Sequence, residues 1–359
     1  SALLKRNMEF KSLAIGELCA GILSILIAIL AALGGMSYWA IVVRQLSHSL
    51  ILVVVAWTLC DWRFGRPRNL AYSLPALKYA IKVFSNFILT YFSRNVDKII
   101  LGKFHGSMTL GYYDRAYYLS QLPATQLVTP LTSVALSTLA RLRQDKPKFE
   151  AFYLRAVSTI SFIGTVAAVV LMLTAEDLVL LLLGPAWMQT GKVLMVLSAA
   201  IAATLLSGTN SWLHLSLGKP GRWLRWNITA AAITIGAFSI AAPYGAVAMG
   251  IAYSAKSYLL LLPGLWYAGR PIGLSPRKLF YSVWPYFIAA VLVCLSWLYL
   301  SANWPLLKDL LSEMHLVVRI VFVALVSSAL YVALVAMIER SFKSVFDVAS
   351  LVKSFLARR

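Results

Sequence analysis

Acid is scarce in this sequence. Aspartate and glutamate number 13 among 359 residues, against 33 lysines and arginines. A membrane glycosyltransferase needs carboxylates to hold a metal-bound phosphate, and the only adjacent acids are Glu176 and Asp177, at the end of an apolar run. Cysteine is scarcer still. Cys19, Cys60 and Cys294 sit in apolar stretches without metal-ligand spacing, which marks them as packing residues. There is no Walker A pattern, no HExxH, no nucleophile elbow and no cysteine–histidine cluster. Long polar stretches are also missing, so a polymerase would lack its large external loop. These absences argue against catalysis and against a resident cofactor or metal.

What the sequence has in excess is apolar surface. Hydrophobic residues make up 60% and charged residues 13%, more than a soluble domain of this length can hide. Many runs reach the ~20 residues that span a hydrocarbon core. Ten are read here: 12–33, 38–60, 74–104, 110–139, 152–174, 190–217, 223–242, 244–267, 281–301 and 316–338. Turn chemistry separates them, as in "FGRPRN", "FHGSMTLG", "LGKPGR" and "GRPIGLSPRK". The fold class expected is an all-α, polytopic membrane protein. A β-barrel would need short alternating segments, and none recur.

A net charge of +20 raises nucleic acid as a partner, but the placement of the charge points to a lipid surface. Alternate loops carry 22 of the 33 basic residues, among them Arg63, Arg66, Arg68, Arg141, Arg143, Lys219, Arg222, Arg270, Arg277 and Lys278. The opposite loops carry Lys308 and little else. The positive-inside rule makes the basic side cytoplasmic, and an even number of spans then puts both ends of the chain there. Residues 340–359 are too polar to span. Phe342, Val345, Phe346, Ala349, Val352 and Leu356 recur at helical spacing, which predicts an amphipathic tail on the inner leaflet. The opening "SALLKRNMEF" begins at Ser1 and reads like the cytoplasmic end of a preceding helix, so an N-terminal truncation is expected.

The run at 74–104 is unusual because it contains "RNVDKIILGKF". Charge at the bilayer centre costs roughly 2.5–3.5 kcal/mol per group on insertion scales. On a helical wheel Lys78, Lys82, Ser85, Asn86, Thr90, Ser93, Arg94 and Asp97 fall in one half, with Phe84, Phe87, Ile88, Tyr91 and Ile99 in the other. Such a wet face belongs on a water-filled cavity rather than in lipid. The plainer alternatives stay open. Lys78, Lys82 and Lys103 can snorkel to headgroups, and Asp97 can simply neutralise Arg94 or Lys98.

Lys256 lies near the middle of its span, where snorkelling is harder, and Arg44 lies nearer an outer end. Glu17 reads as a lone buried acid, either a proton carrier or a partner for a neighbouring base. His48 and His214 read as satisfied core residues. The next run, "YYDRAYYLSQLPATQLVTPLTS", offers Gln121, Thr125, Gln126 and Thr129 for hydrogen bonding. Its tyrosines form either an interfacial belt or, for Tyr117 one turn before Gln121, a platform for a sugar ring. Pro123 and Pro130 should bend it. A weak repeat pairs "SYWAIVVRQLSHSL" with "PYGAVAMGIAYSAKSY": each opens Tyr-x-Ala and carries one basic residue, Arg44 or Lys256.

"NVDKIILGKFHGSMTLGYYDRAYYLSQLP", "LLLGPAW" at 181 and "LWYAGRPIGL" at 265 resemble the polysaccharide exporters and O-antigen flippases of the multidrug/oligosaccharidyl-lipid/polysaccharide exporter superfamily. The resemblance implies two six-helix lobes that rock around a central cavity, often with two further helices. On that pattern residues 1–69 are the last two helices of the first lobe, with about four helices absent. Residues 70–270 are the second lobe, 271–339 the extra pair and 340–359 the tail. The implied cargo is a polyprenyl-diphosphate-linked oligosaccharide, crossing the bacterial inner membrane for lipopolysaccharide, O-antigen or exopolysaccharide assembly. The implied partners are the bilayer, a polysaccharide polymerase and chain-length machinery, with no nucleic acid. The candidate cavity residues are Arg44, Lys82, Asn86, Arg94, Asp97, Lys98, Tyr117, Gln121 and Lys256. Their cations would replace the water that a diphosphate sheds. Two other readings stand beside this one: a cation-coupled drug exporter of the same superfamily, which would want an acidic cavity, and a non-transporting assembly component.

Overall fold

A computed structural model describes residues 10–58, 70–123, 125–126 and 129–339. The expected tail at 340–359 and Cys60 lie outside the described residues. Within them the chain is helical and no strand occurs. In order the helices are α1 (Phe10–Leu33), α2 (Trp39–Thr58), α3 (Leu70–Pro123), α4 (Thr129–Arg141), α5 (Lys146–Leu183), α6 (Met188–Ser198) and α7 (Ile201–Ser216). Then come α8 (Pro220–Ala241), α9 (Ala246–Gly269), α10 (Pro276–Tyr281), α11 (Trp284–Asn303), α12 (Pro305–Glu313) and α13 (Leu316–Glu339). The chain divides into two compact units, residues 1–73 and 74–359.

In the first unit α1 and α2 pack as a hairpin. The turn between them needs left-handed backbone at Gly35 (φ 81°) and Ser37 (φ 45°). The contact is made by small residues: Ala20, Ser24 and Ala40 are buried, and a Cβ on Gly16 would lie 2.8 Å from Val55 Cγ1. Close approach of backbones replaces the hydrophobic effect where the surroundings are themselves apolar. The outward faces carry Leu18, Ile22, Leu30, Ile41 and Leu50, as lipid requires. Glu17 is exposed on α1, so the expectation of a buried acid fails there.

The second unit is built around α5, which packs against α6, α7, α11 and α13. Its 38 residues correspond to roughly 57 Å of helix, about twice a hydrocarbon core. Asp145 caps its start: the carboxylate accepts the Lys148 N–H at 3.2 Å and the Lys148 ammonium at 2.9 Å, which hold it below the usual carboxylate range. The apolar run was expected to end at residue 174, before Glu176 and Asp177. The helix instead continues to Leu183, because Arg319 of α13 takes the Asp177 carboxylate. The break comes at Gly184, where φ is 84°.

Each of the ten apolar runs overlaps helix within the described residues. Among the described residues six helices are long and apolar enough to cross a membrane, and a seventh crossing results if α6 and α7, bent by 53°, form one broken span, against the ten spans expected. The chain is thus a multi-pass helical membrane protein. Within the run at 110–139, α3 is described to Pro123, a π-helical turn at 125–126 follows, and α4 is described from Thr129. The stretch 302–315 is not a plain loop but contains α12.

Candidate functional site

α3 is two helical arms that meet at Gly106, where φ is 76° and ψ −178°. A side chain at that φ would be strained. The break lets the second arm return along the first, and the Tyr113 hydroxyl donates to Asp97 Oδ2 at 2.8 Å. Asp97 Oδ1 accepts the backbone N–H of Lys98 at 2.8 Å. Asp97 is 1% exposed, yet both oxygens are held by neutral donors. The expectation that it neutralises Lys98 is therefore corrected: the Lys98 ammonium pairs with Asp114 at 2.6 Å and sits 5.0 Å from the Tyr117 ring centre.

Beside Asp97 lies a chamber of about 270 Å³, walled by one face from each of four helices. α3 gives Thr90, Ser93 and Asp97, and α7 gives Thr204, Ser207, Gly208, Asn210 and Ser211. α8 gives Trp223, Trp226, Asn227, Ala230, Ala231 and Thr234, and α9 gives Tyr253, Lys256, Ser257 and Leu260. The recurrence at three, four and seven residues is that of a single helical stripe. Most of these groups are uncharged. One lysine and one aspartate carry the formal charge of the described lining.

The chamber has two levels. At the first, Asn86 is fully buried and ties α3 to α8: it donates to the Pro220 carbonyl at 3.3 Å and accepts from Asn227 at 2.9 Å. Trp226 stacks on Tyr267 with ring centres 5.8 Å apart, and Trp223 meets Phe87 edge-on. Gly264 makes room here, since a Cβ would lie 2.9 Å from both Asn210 and Trp226. At the second level the Lys256 ammonium lies 4.6 Å from the Tyr253 ring centre and 5.7 Å from that of Phe238. Tyr253 in turn meets Tyr117 edge-on at 5.6 Å. Among the described residues no carboxylate lies within ion-pair distance of Lys256. Ring faces stabilise a cation by about 0.5–2 kcal/mol and leave its hydrogen-bond donors free.

Of the residues singled out from the sequence, Asp97 and Lys256 line the chamber. Asn86 braces its wall, and Lys98 and Tyr117 stand against the second level. Lys82 is exposed, with its stem beside Gly221. Gln121 is half-buried near the end of α3, away from the lining. Arg44 is exposed on α2 of the other unit, and the Arg94 side chain lies outside the described residues. His214 is buried as expected, but neither ring nitrogen has a hydrogen-bond partner, so it is not the satisfied core residue that was read. The α7 stripe and the indoles Trp223 and Trp226 were missed. Their signal was present as Thr204, Ser207 and Ser211 at helical spacing.

A second charged contact stands apart from the chamber. Arg319 Nε donates to Asp177 Oδ2 at 2.7 Å, its Nη2 donates to Asp177 Oδ1, and its Nη1 reaches the Leu311 carbonyl at 3.3 Å. This is a two-pronged clasp between α5 and α13.

The chain is a multi-pass helical membrane protein that encloses a polar chamber, and among its described residues no group of three His, Cys, Asp or Glu could hold a metal ion. The solved structure of lipid II flippase MurJ in its inward closed conformation shares the fold: the TM-score is 0.62 at 12% identity, over 89% of this chain and 67% of that one. The profile of the polysaccharide biosynthesis protein family matches residues 1–192, and the chain belongs to that family. It is similar to lipopolysaccharide biosynthesis protein WzxC of Escherichia coli (strain K12), 21% identical over 82% of this chain and 61% of the relative. It is also similar to teichuronic acid biosynthesis protein TuaB of Bacillus subtilis (strain 168), 21% identical over 58% and 44%. Amylovoran biosynthesis protein AmsL of Erwinia amylovora is 23% identical over 45% and 41%. The chain spans less than two thirds of the length of these relatives.

Proposed function

We propose that this protein moves a polyprenyl-diphosphate-linked oligosaccharide across the bacterial cytoplasmic membrane for cell-surface polysaccharide assembly. The observation that carries this reading is Lys256: a cation in a hydrogen-bonding chamber whose other formal charge in the described lining is Asp97, held by ring faces and, among the described residues, with no carboxylate within ion-pair distance. A diphosphate that leaves water needs fixed positive charge with free N–H donors, and hydrogen bonds to charged groups contribute about 1.5–3 kcal/mol each. The relatives' names, in lipopolysaccharide, teichuronic acid and amylovoran biosynthesis, support a glycan cargo. The MurJ likeness supports a fold able to host a lipid-linked one.

In this reading residues 1–69 belong to one lobe and 70–270 to a second, which rock against each other in alternating access. The basic loops face the cytoplasm. Arg94 and Arg44 remain candidates for further positive charge, and a polymerase with its chain-length partner receives the flipped lipid. A drug exporter for cations is disfavoured, because the described lining offers such a cargo one carboxylate that already accepts two hydrogen bonds.

The test is transport. The full-length protein is reconstituted in liposomes that contain a fluorescent polyprenyl diphosphate bearing a short oligosaccharide, and arrival in the far leaflet is followed with an impermeant quencher. Wild type should equilibrate the leaflets, and Lys256→Gln should slow this strongly at equal incorporation. Equal rates in protein-free liposomes and in proteoliposomes would end this reading.

A further inference from the structure

We infer that the Trp223–Trp226 level of the chamber is a separate subsite for uncharged sugar, distinct from the Lys256 level that takes the diphosphate. The inference rests on the lipid-linked glycan reading above and divides its site in two. Asn210 is 5% exposed and lines the chamber, and its side-chain oxygen has no hydrogen-bond partner. Thr204, six residues and about 9 Å earlier along α7 toward the Lys256 level, has a buried, unpartnered hydroxyl oxygen in the same lining. Two buried polar atoms without partners are costly, and native proteins rarely keep them without a purpose.

A ligand that pairs with both must carry hydroxyl groups. A hydroxyl donates and accepts, so it serves Asn210 whichever way the amide is turned and serves Thr204 as acceptor or donor. A phosphate has no proton to give an amide oxygen. The two indoles at this level add the other half of a pyranose site: flat apolar faces for ring C–H groups, with polar groups at the edge. A hydration site would need the polar atoms but not the tryptophans. Charge divides the levels as well. Lys256 and Asp97 lie together beside Tyr253 and Tyr113. The Trp223, Trp226 and Asn210 side of the lining is neutral.

The experiment compares two probes on the full-length protein in lipid nanodiscs: undecaprenyl diphosphate that bears a neutral trisaccharide, and undecaprenyl diphosphate with no sugar. The quantity read is the ratio of the two Kd values on one preparation, so a partly unfolded sample does not mimic the effect. Wild type should favour the sugar-bearing probe by about tenfold, the worth of one or two hydrogen bonds. Asn210→Leu and Trp223→Leu should bring the ratio to within about twofold, whereas Trp223→Phe, which keeps an aromatic face, should retain most of it. Lys256→Gln should weaken both probes alike and leave the ratio intact. A wild-type ratio of one, or a ratio unchanged in Asn210→Leu and Trp223→Leu, overturns the sugar subsite while the diphosphate reading stands. Failure of wild type to bind either probe overturns both.

Discussion

The Asp177–Arg319 clasp and the Asp97–Lys256 level of the chamber place the same groups, a carboxylate and a cation, between apolar helices, and they use them in opposite ways. In the clasp every oxygen of Asp177 is met by the guanidinium, and a remaining N–H reaches a carbonyl. The charges are consumed by one another, and α13 is fixed to α5. In the chamber Asp97 is satisfied by a phenol and a peptide N–H, while Lys98 is diverted to Asp114 and Lys256 to ring faces. Among the described residues the carboxylate has no ion-pair partner, and one cation keeps its donors. Charge that serves the fold closes on itself, and charge held apart by neutral neighbours is available to something else.

The largest effect should come from the clasp. Arg319→Leu strands a half-buried carboxylate between helices, a loss of about 2–3 kcal/mol, between the values for exposed and for fully buried pairs. Membrane abundance and melting temperature should both drop, and the double change Asp177→Leu/Arg319→Leu should recover most of the loss. A single variant as stable as wild type would reduce the clasp to an ornament. Next is Lys256→Gln, which should weaken binding of undecaprenyl diphosphate about 10–100-fold at an unchanged melting temperature. A fall in stability without a fall in affinity would move Lys256 to the structural side of the comparison.

Asp97→Asn sharpens the contrast. The amide oxygen can keep the Lys98 N–H, and its NH₂ can donate to a rotated Tyr113 hydroxyl. Abundance should therefore stay normal, and removing a negative charge from the wall should tighten diphosphate binding about three- to tenfold. Low abundance with unaltered affinity would class Asp97 with Asp177. The smallest effect is expected for Lys98→Gln. Its pair with Asp114 is partly exposed, 27% and 44% for the two side chains, and such pairs contribute about 0–1 kcal/mol. Diphosphate affinity should change less than about threefold. A loss as large as that of Lys256→Gln would mean that Lys98 leaves Asp114 for the ligand.

The helices were legible because apolar runs and turn residues mark them strongly, and the polar face of α3 was legible because charge stands out against such a background. Partners were not legible. Asp97 and Tyr113 are 16 residues apart and meet only because α3 folds back at Gly106. Asp177 and Arg319 are separated by 142 residues, so α5 looked as if it ended where its charge began. The α7 wall was missed for a different reason. Serine, threonine and glycine differ little from alanine in an apolar run, and a stripe of them is faint until two tryptophans on α8 are seen opposite.

The bond from Asn227 to Asn86 crosses 141 residues of sequence, and this sets a clock on biosynthesis. The polar arm of α3 leaves the ribosome long before α8 and α9 exist to cover it. At 5–20 residues per second the interval is about 7–28 s. Through that time Asn86, Asp97 and Lys98 have no α8 or α9 beside them, so the arm must wait in the insertion machinery or at its watery edge. A cysteine at position 86 in nascent chains arrested at residue 200 should react with a water-soluble thiol reagent, and the reaction should cease once synthesis passes residue 269. Protection already complete at residue 200 would show that the arm finds cover without its later neighbours.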